Sequence, residues 1–423
     1  MTWSHAGELL VACLAAQGVD RVFQVPGESF LAALDGLHGS SIPVVTTRHE
    51  SGAAMMAEAD GKMTNRPGVA FVTRGPGATN AAAGVHVARQ DSTPMILFIG
   101  QVARNQRDRE AFQEVDYRAM YAPLAKWVAE VDDAARLPEY GCRAFLEAQA
   151  GRPGPVVLAL PEDMLSGPAT GAPAPAAMLP SGKAADADVD AIAAALAAAE
   201  RPVILAGGSM WSAEAAEALA RYAETSGVPV ATTFRRQDHI DNSHANFVGD
   251  FGIGPNPELA ARVGQADTLV LLGARLSEIT TGGYTRLTPP VPSQNVIHVY
   301  PDPSEAGRVY RPTLSVAARA DQVIQQLAQR AVSRAHRFVD EARTSYEAWS
   351  TPSQTRDALN LEHVVSHLRA VLPDDAILTN GAGNYAVWFH RYFKFFRYGT
   401  QLAPTSGAMG YGLPAAVAAK LRF

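Results

Sequence analysis

Short apolar runs alternate along the chain with longer segments in which apolar residues recur at helical spacing. Val19–Val25, Ile42–Thr46, Val69–Thr73, Met95–Ile99 and Val156–Leu160 read as buried strands. Between them, Ser4–Gln17 reads as an amphipathic helix with Leu9, Leu10, Cys13 and Leu14 on one face and Gly18 as its stop. Phe30–Leu37 and an Ala-rich stretch after Asn80 read as further helices, with Thr79 and Asn80 at the start of the latter. Strands alternating with helices predict an α/β fold, a parallel sheet with right-handed crossovers. Ligands of such sheets bind beyond the carboxyl ends of the strands. Glu28 in Pro26-Gly27-Glu28-Ser29, Glu50 after Thr47-Arg48-His49, and the turn Gly75-Pro76-Gly77 are all expected at that edge.

The pattern divides the chain. Residues 165–185 form a Pro/Ala/Gly linker with little apolar periodicity. A second α/β unit follows, with strands at Pro202–Ala206, Val228–Thr233, Thr268–Leu272 and Asn295–Tyr300, and glycines at strand ends (Gly207, Gly208, Gly273). Those glycines suit a nucleotide phosphate or a tight turn equally, and no complete GxGxxG is present. Charged residues including Arg334, Arg337, Asp340, Glu341 and Arg343 suggest a solvated helix and linker over 325–350. Then Asp375–Asn384 reads as strand and polar glycine turn, and the sequence reaches Phe423 one helix after Gly407-Ala408-Met409-Gly410. The expected domains are 1–170, 185–335 and 353–423, the third short for a core of its own and so expected to be truncated.

Charge and cysteine content narrow the function. A net charge of −6 without a basic block argues against nucleic acid or an anionic membrane as partner. Two distant cysteines, Cys13 and Cys142, make a disulfide framework unlikely and a cytoplasmic setting the default. No apolar run reaches transmembrane length. Taken alone, Glu50 is a carboxylate at a strand-to-helix junction, a position where capping is the ordinary role.

Six stretches in order change that reading: Val25-Pro26-Gly27; Arg48-His49-Glu50 with Ala53-Ala54-Met55-Met56-Ala57; Gly75-Pro76-Gly77-Ala78-Thr79-Asn80; Gln90-Asp91-Ser92-Thr93-Pro94-Met95; Ala111-Phe112-Gln113-Glu114; and Gly407-Ala408-Met409-Gly410-Tyr411-Gly412-Leu413-Pro414. Together they resemble the acetolactate synthase-like family of thiamine diphosphate enzymes, over essentially the whole chain. The resemblance implies pyrimidine-binding, central and diphosphate-binding domains, in a homodimer or homotetramer with the active site at the subunit interface. It implies that Glu50 hydrogen-bonds the pyrimidine N1′ and so promotes loss of the thiazolium C2 proton, the cofactor carrying the hard chemistry. Met409 would prop the cofactor and the Gly407 carbonyl would accept from its amino group, both from a neighbouring subunit. Gln113 would lie near thiazolium and substrate, with Phe112 walling the pocket. Pro26, Gly27, Thr73, Gly75, Gly77 and Asn80 would line the first domain's half of the site, and Asn380, Gly381 and Asn384 would begin the diphosphate contacts.

The implied reaction is decarboxylation of a 2-keto acid such as pyruvate, then enamine addition to a second carbonyl. Alternatives are a simple 2-keto acid decarboxylase or C–C lyase, and a non-catalytic nucleotide-binding homologue. Mg²⁺ is expected, with ligands in a Gly-Asp-Gly segment beyond Phe423; FAD, if bound, would lie near Gly207, Gly208, Gly273 and Arg275. Two departures stand out. Where the synthases carry a second Arg for the keto acid, Arg275-Leu276-Ser277-Glu278-Ile279 places Ile279. Glu28 replaces a small residue, and there it could act as acid or base or disfavour an anionic acceptor.

Overall fold

The computed structural model describes residues 1–179, 182–333, 337–354 and 359–423, so Arg334 lies outside the described residues. The chain folds as two compact units, Met1–Pro180 with Pro404–Phe423, and Ser181–Ala403. Residues 353–423 are thus divided between them.

The first unit is built on six parallel strands: β1 (Val22–Gln24), β2 (Val44–Thr46), β3 (Gly68–Val72), β4 (Met95–Gln101), β5 (Trp127–Glu130) and β6 (Pro155–Pro161), in the order β2-β1-β3-β4-β6-β5. The runs that read as buried in β3, β4 and β6 are buried throughout, because helices cover both faces of a parallel sheet. Phe30, Phe71 and Phe98 stack through this core, with ring centroids 5.8 and 4.7 Å apart. The expectation of a buried strand at 42–46 is corrected. β2 is an edge strand paired only to β1, and Val44 and Thr46 are exposed. An apolar run is buried only where neighbours cover it. The expected linker also carries structure: a short helix at Glu162–Ser166, and Ala169–Thr170 paired antiparallel with Thr2–Trp3.

The chain runs from β1 outward to β2, then returns to place β3 on the other side of β1. The order of the sheet therefore reverses between β1 and β3, the position at which open α/β sheets leave a crevice at their carboxyl ends. The Glu50 helix (Glu50–Thr64) and the Pro76 helix (Pro76–Asp91) start at this end and pack on each other. The C-terminal helix (Gly412–Arg422) packs on the Glu50 helix of the same chain. There Tyr411 donates to Glu58 at 2.5 Å, and Arg422 pairs with Asp60 at 2.7 Å.

The second unit repeats the plan with β7 (Pro202–Ala206), β8 (Val230–Thr233), β9 (Phe247–Phe251), β10 (Thr268–Leu272), β11 (Asn295–Val299) and β12 (Leu314–Val316), all parallel, in the order β9-β8-β7-β10-β11-β12. The solvated helix expected over 325–350 is amphipathic instead. Arg337–Ser350 buries Val339, Ala342 and Tyr346 against the unit. No described helix is long and apolar enough to cross a membrane.

Candidate active site

Glu50 opens its helix directly after β2, with His49 as the N-cap accepting from the Ser51 N–H at 3.2 Å. The carboxylate is half-buried and receives the Asn80 side-chain amide on Oε2 at 3.0 Å. Asn80 stands in the second turn of the Pro76 helix, not at its start: Gly75, at φ 62°, is the N-cap and Pro76 the first residue. A proline at the first helical position gives up only a donor that has no partner there.

The glycines expected here are spatial necessities. A Cβ on Gly77 would stand 2.8 Å from Thr73 Cγ2 and 3.4 Å from Glu50 Oε1, so the cradle beside the carboxylate is kept clear by a missing side chain. A Cβ on Gly27 would stand 2.3 Å from Thr73 Cβ, which is how the turn after β1 closes onto the end of β3. Thr73 thus bridges the two sides of the crevice, and its hydroxyl bonds Ser29 Oγ at 2.8 Å.

Gln113 comes against this cluster from a separate loop, its backbone at φ 66° and its Cβ close to where a side chain on Gly75 would be. A non-glycine residue in the left-handed region is costly and is sustained by its surroundings. Here Glu114 supplies the support, its carboxylate accepting from the Asp108 and Ala111 N–H groups at 2.7 and 3.0 Å. Those donors hold the Glu114 carboxyl below the ordinary range. Phe112 is exposed at the loop tip. The Tyr117 hydroxyl accepts from the Gly75 N–H at 2.7 Å, and burial pushes its pKa up to about 12, which keeps it neutral.

One further residue was not among the sequence candidates. Arg74 follows β3 and is buried; its Nη1 donates to Glu162 at 2.7 Å and its Nη2 lies 3.4 Å from Glu28. The available signal was a lone cation directly after a fully apolar strand, at the edge where ligands bind. Glu28 itself is largely exposed, as is Pro26.

Glu28, Gly27, Glu50, Thr73, Gly75, Gly77, Asn80 and Gln113 therefore form one contiguous cluster in the first unit. Gly407 and Met409 belong to the same unit but are exposed, with Gly407 at φ 68° in a turn and Met409 82% accessible. Asn380, Gly381 and Asn384 lie in the second unit. The Gly381 carbonyl accepts from Arg235 at 2.8 Å, the Gly381 N–H donates to the Tyr385 hydroxyl at 3.0 Å, and the exposed Asn384 lines a cavity of about 470 Å³ with Asp250, Trp349, Trp388 and His390. Burial pushes the Asp250 carboxyl up to about 7 and the His390 imidazole down to about 3.

The donor sets for the other groups differ. Among the described residues no three His, Cys, Asp or Glu side chains gather as they would around a metal ion. At the order reversal of the second sheet the glycines close on the protein itself: a Cβ on Gly208 would stand 2.0 Å from the Gly273 carbonyl, and one on Gly207 2.0 Å from Thr233 Oγ1. Trp211 donates to the Gly207 carbonyl at 2.8 Å and is fully buried. Close chain packing by itself requires these glycines.

Comparison with known proteins follows this geometry. Residues 4–120 match the model of the thiamine pyrophosphate enzyme N-terminal TPP binding domain, residues 189–327 the central domain, and residues 381–423 the C-terminal TPP binding domain. The catabolic acetolactate synthase of Raoultella terrigena is 31% identical, over 99% of this chain and 76% of the relative. An acetolactate synthase of Mycobacterium bovis is 31% identical over 98% of this chain and 69% of its own length. A probable acetolactate synthase large subunit of Methanocaldococcus jannaschii is 31% identical over 98% and 73%.

Proposed function

The chain belongs to the acetolactate synthase-like family of thiamine diphosphate enzymes, and from that premise we propose that it is a carboligase that decarboxylates pyruvate and joins the two-carbon unit to a second carbonyl. The observation that carries this reading is the Glu50 cradle: a carboxylate held on one oxygen by Asn80, with its other oxygen beside Gly77, whose missing side chain lets the Pro76 helix approach Glu50 and Thr73 closely.

A flat ring nitrogen suits that arrangement. Asn80 orients the carboxylate, so Oε1 is the oxygen that holds or shares a proton with a bound heterocycle. Bound thiamine diphosphate supplies the electron sink that decarboxylation of a 2-keto acid requires. Around it the chain's own groups position and exclude. Gly75 and Gly77 let backbone approach closely, Gln113 is held against the turn by its Glu114-braced loop, and the exposed turn of Gly407 and Met409 is what a neighbouring copy would present to hold the ring. Among the described residues no three His, Cys, Asp or Glu side chains gather to hold the Mg²⁺ expected for the diphosphate, and no role here rests on it.

The test is direct. Purified protein with thiamine diphosphate, Mg²⁺ and pyruvate should release CO₂ and form acetolactate. Absence of CO₂ would overturn the reading; CO₂ with acetaldehyde in place of acetolactate would leave a decarboxylase.

A further inference from the structure

We propose that Arg74 is the anchor for the carboxylate of the 2-keto acid, and that Glu28 is a placeholder on it, displaced when substrate binds. This rests on the proposed function.

The placement is specific. Arg74 is joined to Thr73, the residue that touches both Gly27 and the Gly77 cradle beside Glu50. Its guanidinium is 10% accessible and is gripped from one side by Glu162 at 2.7 Å, which fixes its plane. On the other side the contact is different in kind. Glu28 Oε1 lies 3.4 Å from Nη2, long for a charge-assisted hydrogen bond, and the Glu28 side chain is 68% accessible. Nε is buried and has no partner. Arg74 therefore keeps unused donor capacity facing a weakly held, solvated carboxylate.

Exchange of one carboxylate for another leaves the charge around the buried guanidinium unchanged. Glu28 moves into water, where its charge is solvated, while the planar fork receives an incoming carboxylate with matching geometry.

Opposite signs distinguish an anchor from a structural ion triad. Arg74→Gln should raise the KM for pyruvate on the order of tenfold or more, the scale of a hydrogen bond to a charged group, with thiamine diphosphate affinity within about twofold of wild type. Glu28→Gln should lower the pyruvate KM, because it removes the internal competitor. Arg74→Lys should fall between, keeping charge without the fork. Shifts of the same sign in Arg74→Gln and Glu28→Gln, or an unchanged KM in Arg74→Gln, would overturn the assignment. Calorimetric titration with oxamate, an unreactive pyruvate analogue, reads the same contact without turnover. Wild type should bind it at least about tenfold more tightly than Arg74→Gln, and equal affinity would overturn the assignment. A wild type that binds oxamate through Arg74 yet releases no CO₂ from pyruvate would sink the proposed reaction and leave the anchor standing. If Arg74→Gln does not fold, oxamate binding to Glu28→Gln decides: tighter supports the anchor, unchanged or weaker overturns it.

Discussion

Asn80 donates its side-chain amide to Glu50 at 3.0 Å and so ties the second turn of one helix to the first residue of another. The contact fixes which carboxylate oxygen faces the cradle. Asn80→Ala should lower kcat by about 10- to 100-fold, since a hydrogen bond to a charged group is worth about 1.5–3 kcal/mol. Asn80 is exposed, so the thermal midpoint should move little. Steady-state kinetics beside a melting curve check this; an unchanged kcat would remove Asn80 from the positioning role.

Gly77→Ala places a methyl group in the cradle, 2.8 Å from Thr73 Cγ2. Thr73 must shift to admit it, a cost that the better helix propensity of alanine offsets only in part. Thiamine diphosphate affinity, measured by equilibrium titration, should fall by at least about tenfold, roughly 1.4 kcal/mol. Adding Thr73→Ser removes the opposing methyl and keeps the hydroxyl bonded to Ser29, and it should restore part of the loss. No restoration would mean that the cradle is not where the ligand sits.

The C-terminal segment is held by buried charge. Lys62 bonds Asp91 and lies 3.1 Å from Glu58; Glu58 accepts from Tyr411, and Asp91 accepts from the Thr405 N–H at 2.6 Å. Lys62→Met leaves two buried carboxylates without their cation and should cost about 3–5 kcal/mol of stability. Tyr411→Phe removes one hydrogen bond and should cost about 1–3 kcal/mol, since Glu58 keeps other partners. Urea denaturation of both variants gives the ranking, and a near-neutral Lys62→Met would contradict it.

Asp250 supplies a pH dependence. Burial outweighs the nearby Arg235 and Arg286 and raises its carboxyl from 3.8 to about 7. Between those values the folded chain keeps a proton that the unfolded chain has released. The contribution to stability therefore falls as pH rises through that window and is lowest above about 7. Asp250→Asn should be stabilising at about pH 8 and lose that advantage near pH 4. Parallel denaturation curves at the two pH values test it; an advantage independent of pH would refute the cause.

Nine of the twelve strands in the two six-stranded sheets were legible, because an apolar run flanked by turns has few other uses and alternation with helices dictates parallel pairing; Trp127–Glu130, Phe247–Phe251 and Leu314–Val316 were not read as strands. Burial was less legible. Val44–Thr46 looks like its neighbours in sequence, yet it is exposed because the sheet order leaves it at an edge. Glu50, Gly77 and Asn80 could be chosen because two short motifs, Arg48-His49-Glu50 and Gly75-Pro76-Gly77-Ala78-Thr79-Asn80, carry the resemblance, and the fold brings the two motifs together.

Arg74 could not be chosen that way. Its partners Glu28 and Glu162 are 46 and 88 residues distant in sequence, and only the folding of β1 beside β3, with β6 on the far side of β4, sets them on one guanidinium. The sequence by itself determined the class of fold and the strand ends at which Glu28, Glu50 and the Gly75 turn gather, because these follow from local pattern, whereas Glu50 stood out from an ordinary capping residue only through the resemblance of six stretches to a known family. The tertiary structure decided which oxygen of that carboxylate is free, which glycines are steric necessities and which cation faces the crevice, because each depends on distances between segments that no local pattern encodes.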